Sequence, residues 1–196
     1  FTDWLEAKVR VQNGMYAGPV DSNGDKTVIG SLGFKPCSAA WFNLLGFGGQ
    51  ENPGLEVKGG SVLAGYQISE KAVGGLEMDF FNFDFTGGGS ADLWSVGGWF
   101  GYDFSPKVGL ALRGEYLDDG DGGGLKGITL PGRAGSAITS TDAAGSISSV
   151  AFTLNLKPVP SIKIQPEIRY DRTSYKGGFD GEDDRFLVGA GVSYLF

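Results

Sequence analysis

The charged residues of this chain keep to alternate positions. Glu6, Lys8 and Arg10 are each one residue apart, as are Glu77 and Asp79, and Arg113 and Glu115. Lys163, Glu167, Arg169 and Asp171 share the same parity, separated by Ile164, Pro166, Ile168 and Tyr170 on the other. Two carboxylates on one face, Glu77 with Asp79 or Glu167 with Asp171, could divide the roles of acid and base. The simpler reading of acids two apart on a strand is a charged, wetted surface. The 196 residues include no histidine, which removes every enzyme that depends on an imidazole base. No catalytic residue is expected.

Other chemistry is weakly signalled. Asp118-Asp119-Gly120-Asp121-Gly122 offers oxygen ligands of the kind Ca²⁺ takes, but lacks the spacing and closing Glu of an EF-hand. It reads more simply as a solvated turn. Gly122-Gly123-Gly124 has no following Lys-Ser/Thr pair to make a phosphate loop. Cys37 is the single cysteine, so an internal disulfide and a cysteine-rich zinc site are both excluded. Neither a metal nor another cofactor is expected.

The elements that must hold these residues follow from composition and period. Glycine and proline number 35 and 8, roughly a fifth of the chain against a usual share of about 12%. Both oppose helix interiors, while 41% hydrophobic and 13% aromatic residues are too many for a disordered chain. The net charge of −7 argues against nucleic acid as a partner. No apolar run approaches the ~20 residues of a membrane helix. The length suggests one domain over 1–196. The chain begins at Phe1 without the basic and apolar regions of a signal peptide, which predicts a processed or truncated product.

Strict alternation is the signature of strands, because period two sends every other side chain to one face. Ten strands are predicted, at about 4–14, 26–35, 40–49, 60–69, 73–85, 92–104, 107–118, 146–157, 161–171 and 185–196. The third is apolar on both faces, and the fifth changes phase near Phe80-Phe81, which predicts a bulge. The connections after strands two, four, six and eight are short. The others, about 15–25, 50–59, 86–91, 119–145 and 172–184, are longer and rich in Gly, Asp and Asn. Short turns at one end and long loops at the other are the habit of outer-membrane barrels.

The inside-out question is decided by the aromatics and the carboxyl end. Tyr66, Trp94, Tyr102, Phe104, Tyr116, Tyr170 and Tyr194 fall near the ends of the apolar stripes, where interfacial girdles sit. The final stripe is Phe186, Val188, Ala190, Val192, Tyr194, Phe196. It looks like the terminal signal that the bacterial barrel-assembly machinery reads, with Tyr194 and Phe196 as its aromatics. Deleting Phe196 should therefore impair assembly more than folding in detergent.

Longer stretches resemble the OmpL-like family of β-barrel porins. They are Val11-Gln12-Asn13-Gly14 with Asp21 to Thr27, then Leu112 to Asp119, then Leu156-Lys157-Pro158 with Pro166 to Asp171. The similarity spans most of the chain. Members are usually much longer, so the chain resembles their C-terminal portion, either with further strands ahead of it or as a reduced barrel.

The expected fold is all-β, an antiparallel up-and-down transmembrane β-barrel of about ten strands. Its lumen is expected to be lined by Glu6, Lys8, Arg10, Glu77, Asp79, Arg113, Glu115, Lys163, Glu167, Arg169 and Asp171. Leu5, Val9, Leu110, Leu112, Ile164, Ile168, Val188 and Val192 are expected to face lipid. Outer-membrane lipid and lipopolysaccharide, the assembly machinery, small polar solutes and a homo-oligomer or larger membrane complex are the expected partners. The function expected is passive diffusion of small polar solutes or ions across the bacterial outer membrane. The alternative is a non-conducting barrel that binds partners through its loops. Ten strands close at a backbone radius of about 10 Å, which side chains nearly fill. The loop at 119–145, with its apolar middle Leu125 to Pro131, is read either as a solvated outer loop with a short β-ribbon extension or as a segment that folds back and narrows the mouth.

Overall fold

A computed structural model describes residues 2–14, 23–120, 142 and 144–194. They form ten strands: β1 (Leu5–Gln12), β2 (Thr27–Cys37), β3 (Ala40–Asn52), β4 (Leu55–Ser69), β5 (Ala72–Phe85), β6 (Ser90–Ser105), β7 (Val108–Asp119), β8 (Gly145–Val159), β9 (Ile162–Thr173) and β10 (Asp184–Tyr194). Each pairs antiparallel with its neighbours in sequence, giving one sheet in the order β1 to β10. The sheet is open. Among the described residues β1 pairs only with β2, and β10 only with β9.

Pairing preserves the two faces across the whole sheet, because residues directly opposite each other point the same way. One row runs Leu32, Leu44, Val62, Met78, Val96, Tyr116 over six strands. The adjacent row on the other face begins at Glu6, at the turn end of β1. It passes through Gly33, Asn43, Leu63, Glu77, Gly97, Glu115, Ser149 and Asp171 to Arg185, at the loop end of β10. A row that climbs from one end of the sheet to the other is the stagger of tilted strands in a barrel wall.

Burial separates the faces further. Leu32, Leu44, Val62, Met78 and Val96 of the apolar row are exposed, whereas Phe47, Val57, Phe83, Ala91 and Leu93 are buried on the charged face. A sheet that buries an apolar cluster of large side chains on one face is curved toward that face, so the charged face is concave. This buried cluster lies near the loop ends of β3 to β6, with Ile29, Leu55, Phe81 and Leu117 packed against it. Phe81 meets Phe47 with ring centroids 5.3 Å apart.

That cluster corrects two expectations. β5 runs in unbroken register past Phe80 and Phe81 against both neighbours, so there is no bulge there. The apparent change of phase arises because Phe81 and Phe83 make the concave face apolar at this level while Phe80 remains on the outer one. The loop expected at 50–59 shrinks to Pro53-Gly54, where Gly54 takes φ 94. Its former members extend β3 and β4, since Val57 is fully buried and burial of such a side chain is worth about 1.5–3 kcal/mol. The remaining strands keep the expected order, and the short turns close hairpins after β2, β4, β6 and β8.

Candidate functional site

All eleven charged residues picked out by their spacing stand on the concave face, as the register requires. Glu6, Lys8 and Arg10 come from β1, Glu77 and Asp79 from β5, and Arg113 and Glu115 from β7. Lys163, Glu167, Arg169 and Asp171 come from β9. The signs are partly sorted. Glu77 and Asp79 make β5 acidic, whereas β1, β7 and β9 each carry both signs.

The tightest constellation centres on Asp171, whose side chain is fully buried. Its Oδ1 accepts from Arg169 Nε at 2.5 Å and from Ser149 Oγ at 2.6 Å. Its Oδ2 accepts from Arg185 Nε at 2.8 Å, and Arg169 also donates to Ser149 Oγ at 2.9 Å. A carboxylate so enclosed needs this saturation, because an unpaired buried charge is strongly destabilising. Two guanidinium groups around one carboxylate leave a net positive centre on the wall. Arg185 was missed by alternation alone, since its role depends on the β9–β10 register that sets it opposite Asp171.

Elsewhere the wall is a lattice of cross-strand polar pairs. Thr153 donates to Glu167 at 2.6 Å, Gln165 to Asn155 at 2.8 Å, and Ser95 to Asp79 at 3.0 Å. Lys8 lies 2.9 Å from Glu6 along β1, and Arg113 lies 3.4 Å from Glu115 along β7. Both of those pairs are solvent-exposed and contribute little stability. Their effect is to mix charge of both signs along a wettable surface. Asp118 and Asp119, read above as weak calcium ligands, are engaged inside the protein. Asp118 Oδ1 accepts from the Gly120 amide, and Asp119 Oδ2 from the Tyr175 hydroxyl.

The segment between β9 and β10 turns onto this face. Tyr175 is fully buried against Ile147 with Phe179. Its hydroxyl donates to Asp119 Oδ2 at 2.7 Å, and burial together with that carboxylate pushes its ionisation well above the usual phenol range. The guanidinium carbon of Arg185 sits 4.2 Å from the centre of the Phe179 ring. Residues 121–141 and 143 of the long loop, and Phe196 of the terminal signal, lie outside the described residues.

The opposite face carries the eight residues expected toward lipid, and none is buried. Val9, Val188 and Val192 are the most open, at 78%, 74% and 73%. The aromatics form two belts there. Trp94, Tyr116 and Tyr170 lie toward the loop end, Tyr66, Tyr102, Phe104 and Tyr194 toward the turn end. Trp94 and Tyr116 touch at 5.4 Å, and Tyr102 and Phe104 at 5.1 Å.

Solved structures share this architecture. The chain is similar to the NanC porin, with 14% identity and a TM-score of 0.54, covering 88% of this chain and 79% of that one. It is also similar to a mutant of the ferric enterobactin receptor PfeA from Pseudomonas aeruginosa, with 13% identity and a TM-score of 0.57. That match takes in 99% of this chain but only 37% of the receptor. At such identities the likeness is one of fold. No curated protein matches the chain in sequence. The family described as "Putative beta-barrel porin-2, OmpL-like" matches residues 1–196 throughout, and the chain belongs to that family of β-barrel porins.

Proposed function

We propose that the ten strands form wall of a conduit through which small polar solutes or ions diffuse passively across the bacterial outer membrane. One observation carries this reading. Eleven charged residues on four separate stretches of sequence fall on one concave face, while the opposite face is apolar, exposed and ringed by aromatics. Such a sheet is stable with lipid on one side and water on the other. The eleven residues then line the lumen, and the apolar face meets outer-membrane lipid and lipopolysaccharide. The chain acts as one domain, inserted by the barrel-assembly machinery through Tyr194 and Phe196, and its role is not enzymatic. Within the two carboxylate pairs Asp79 accepts from Ser95, Glu167 from Thr153, and Asp171 from Ser149, Arg169 and Arg185.

The test is the conductance of the complete protein in a planar bilayer. Stepwise ion currents, and swelling of liposomes in isotonic solutions of small polar solutes, are expected. A folded, inserted protein without either would overturn the reading. A second reading, a narrow barrel that serves as a partner-binding scaffold or an oligomer subunit, draws on the apolar cluster around Phe83 and on Tyr175. Both occupy the concave face at its loop end. Insertion without conductance is the outcome that favours it.

A further inference from the structure

Two tryptophans on the concave face are laid flat. The indole of Trp41 lies across Gly65, where a Cβ would overlap the ring, and Trp99 covers Gly75 in the same manner. Gly65 pairs directly with Gly75, so the row Trp41, Gly65, Gly75, Trp99 crosses four strands with an indole at each end and bare backbone between. Both indoles stay partly exposed, each with one face on the sheet. Their backing role explains the glycines but leaves the other ring faces without an occupant.

Beside Trp41, at the turn end of β1 to β3, lies a cleft of about 410 Å³ whose lining includes Asp3, Glu6, Gly33, Lys35, Trp41 and Asn43. Gly33 keeps its floor low. The place a Cβ would take there is 3.0 Å from Asn43 Oδ1 and 3.8 Å from Glu6 Oε2. Two acceptor oxygens therefore converge over one bare backbone position, next to an aromatic plane.

We propose that this cleft is a binding subsite for a neutral sugar ring, stacked on Trp41 and held through adjacent hydroxyl groups by Glu6 and Asn43. The proposal rests on the conduit reading for its biological sense. Three features of the cleft select the ligand class. An indole face attracts the positively polarised C–H edge of a ring that has no π-system of its own. A carboxylate and an amide oxygen side by side accept hydrogen bonds from vicinal hydroxyls, and the carboxylate bond is the stronger. The volume lies in the range of small-molecule pockets, about 300–1,000 Å³. Charge decides between neutral and acidic sugars. Asp3 and Glu6 outnumber Lys35 in the lining, and Lys8 is already 2.9 Å from Glu6, so an anion gains no net attraction.

The complete protein, in detergent micelles, is titrated with methyl glucoside and maltose by calorimetry and tryptophan fluorescence. Saturable binding is expected, weakened about tenfold by Asn43→Ala and by Glu6→Gln, the loss of one hydrogen bond each. Both residues are exposed, so these variants keep the fold. Trp41→Phe, which still covers Gly65, should weaken binding and blunt the fluorescence change. Glucuronate should bind no better than methyl glucoside. Equal affinity in wild type and Asn43→Ala, or preference for glucuronate, would overturn the subsite. In bilayers the sugar should block the ion current of the wild type and fail to block Asn43→Ala. Ion current with no sugar binding removes the subsite and leaves the conduit. Sugar binding without ion current removes the conduit and leaves the subsite.

Discussion

Tyr175 donates to Asp119 across 56 residues of sequence, at 2.7 Å, and both side chains are fully buried. This bond fastens the segment between β9 and β10 to the loop end of β7. The tether holds an aromatic residue on the charged wall, where the sequence alone suggested one of the longer loops.

Tyr175→Phe keeps the ring and removes the bond, leaving Asp119 without this donor. Loss of such a bond to a charged acceptor is worth about 1.5–3 kcal/mol. Lys176, next in the chain, is exposed. Tryptic cleavage after Lys176 should accelerate about tenfold or more in the variant, while heat-modifiability of the barrel on gels stays the same. Equal cleavage rates would mean that the ring, not the hydroxyl, fixes the segment.

The same hydroxyl makes the tether dependent on alkaline pH. Its folded ionisation is raised above the unfolded value, so the folded state favours the protonated phenol. That contribution is complete below about pH 10, the ordinary tyrosine value, and fades as pH rises through the raised folded value. Ultraviolet titration should show one phenol ionising later than the others, and Tyr175→Phe should remove that late component.

Asp171→Asn leaves Arg169 and Arg185 facing each other without their shared carboxylate. Removing one partner from a buried charge cluster costs about 3–5 kcal/mol. The transition of the folded form in urea should fall accordingly. In a conducting protein the reversal potential should move toward anion preference, since the wall gains a positive charge.

The two faces can be told apart by a matched pair. Val188→Arg places a charge on the outer face, where the cost near the bilayer midplane is about 2–4 kcal/mol. Ser193→Arg places the same charge on the concave face. Folding yield into lipid vesicles should drop for the first and stay near wild type for the second. The reverse result would invert the assignment of the faces.

Most of the fold was legible because alternation is a local property. Glu6 to Gln12 and Ile162 to Asp171 declare their faces without reference to any neighbour. Legibility failed where both faces are apolar. Around Phe80 to Phe83 the period disappears although the strand continues, because Phe83 is buried on the concave face while Phe80 is exposed on the other. At 50–59, Gly, Pro and Asn suggested a loop, yet burial of Val57 draws those residues into strands. The site was legible as a stripe and illegible as contacts. Nothing near Asp171 in sequence points to Ser149 or Arg185; only register brings them together. The Trp41 and Trp99 placements depend likewise on which glycine stands opposite.

The strands also lengthen from 8 residues in β1 to 16 in β6. A strand needs about 9–11 residues to cross a membrane. Five residues beyond that, at ~3.3 Å each and a tilt near 40°, add on the order of 13 Å of height. Among the described residues β6 is the tallest strand of the sheet and β1 the shortest, and the excess must stand clear of the hydrocarbon.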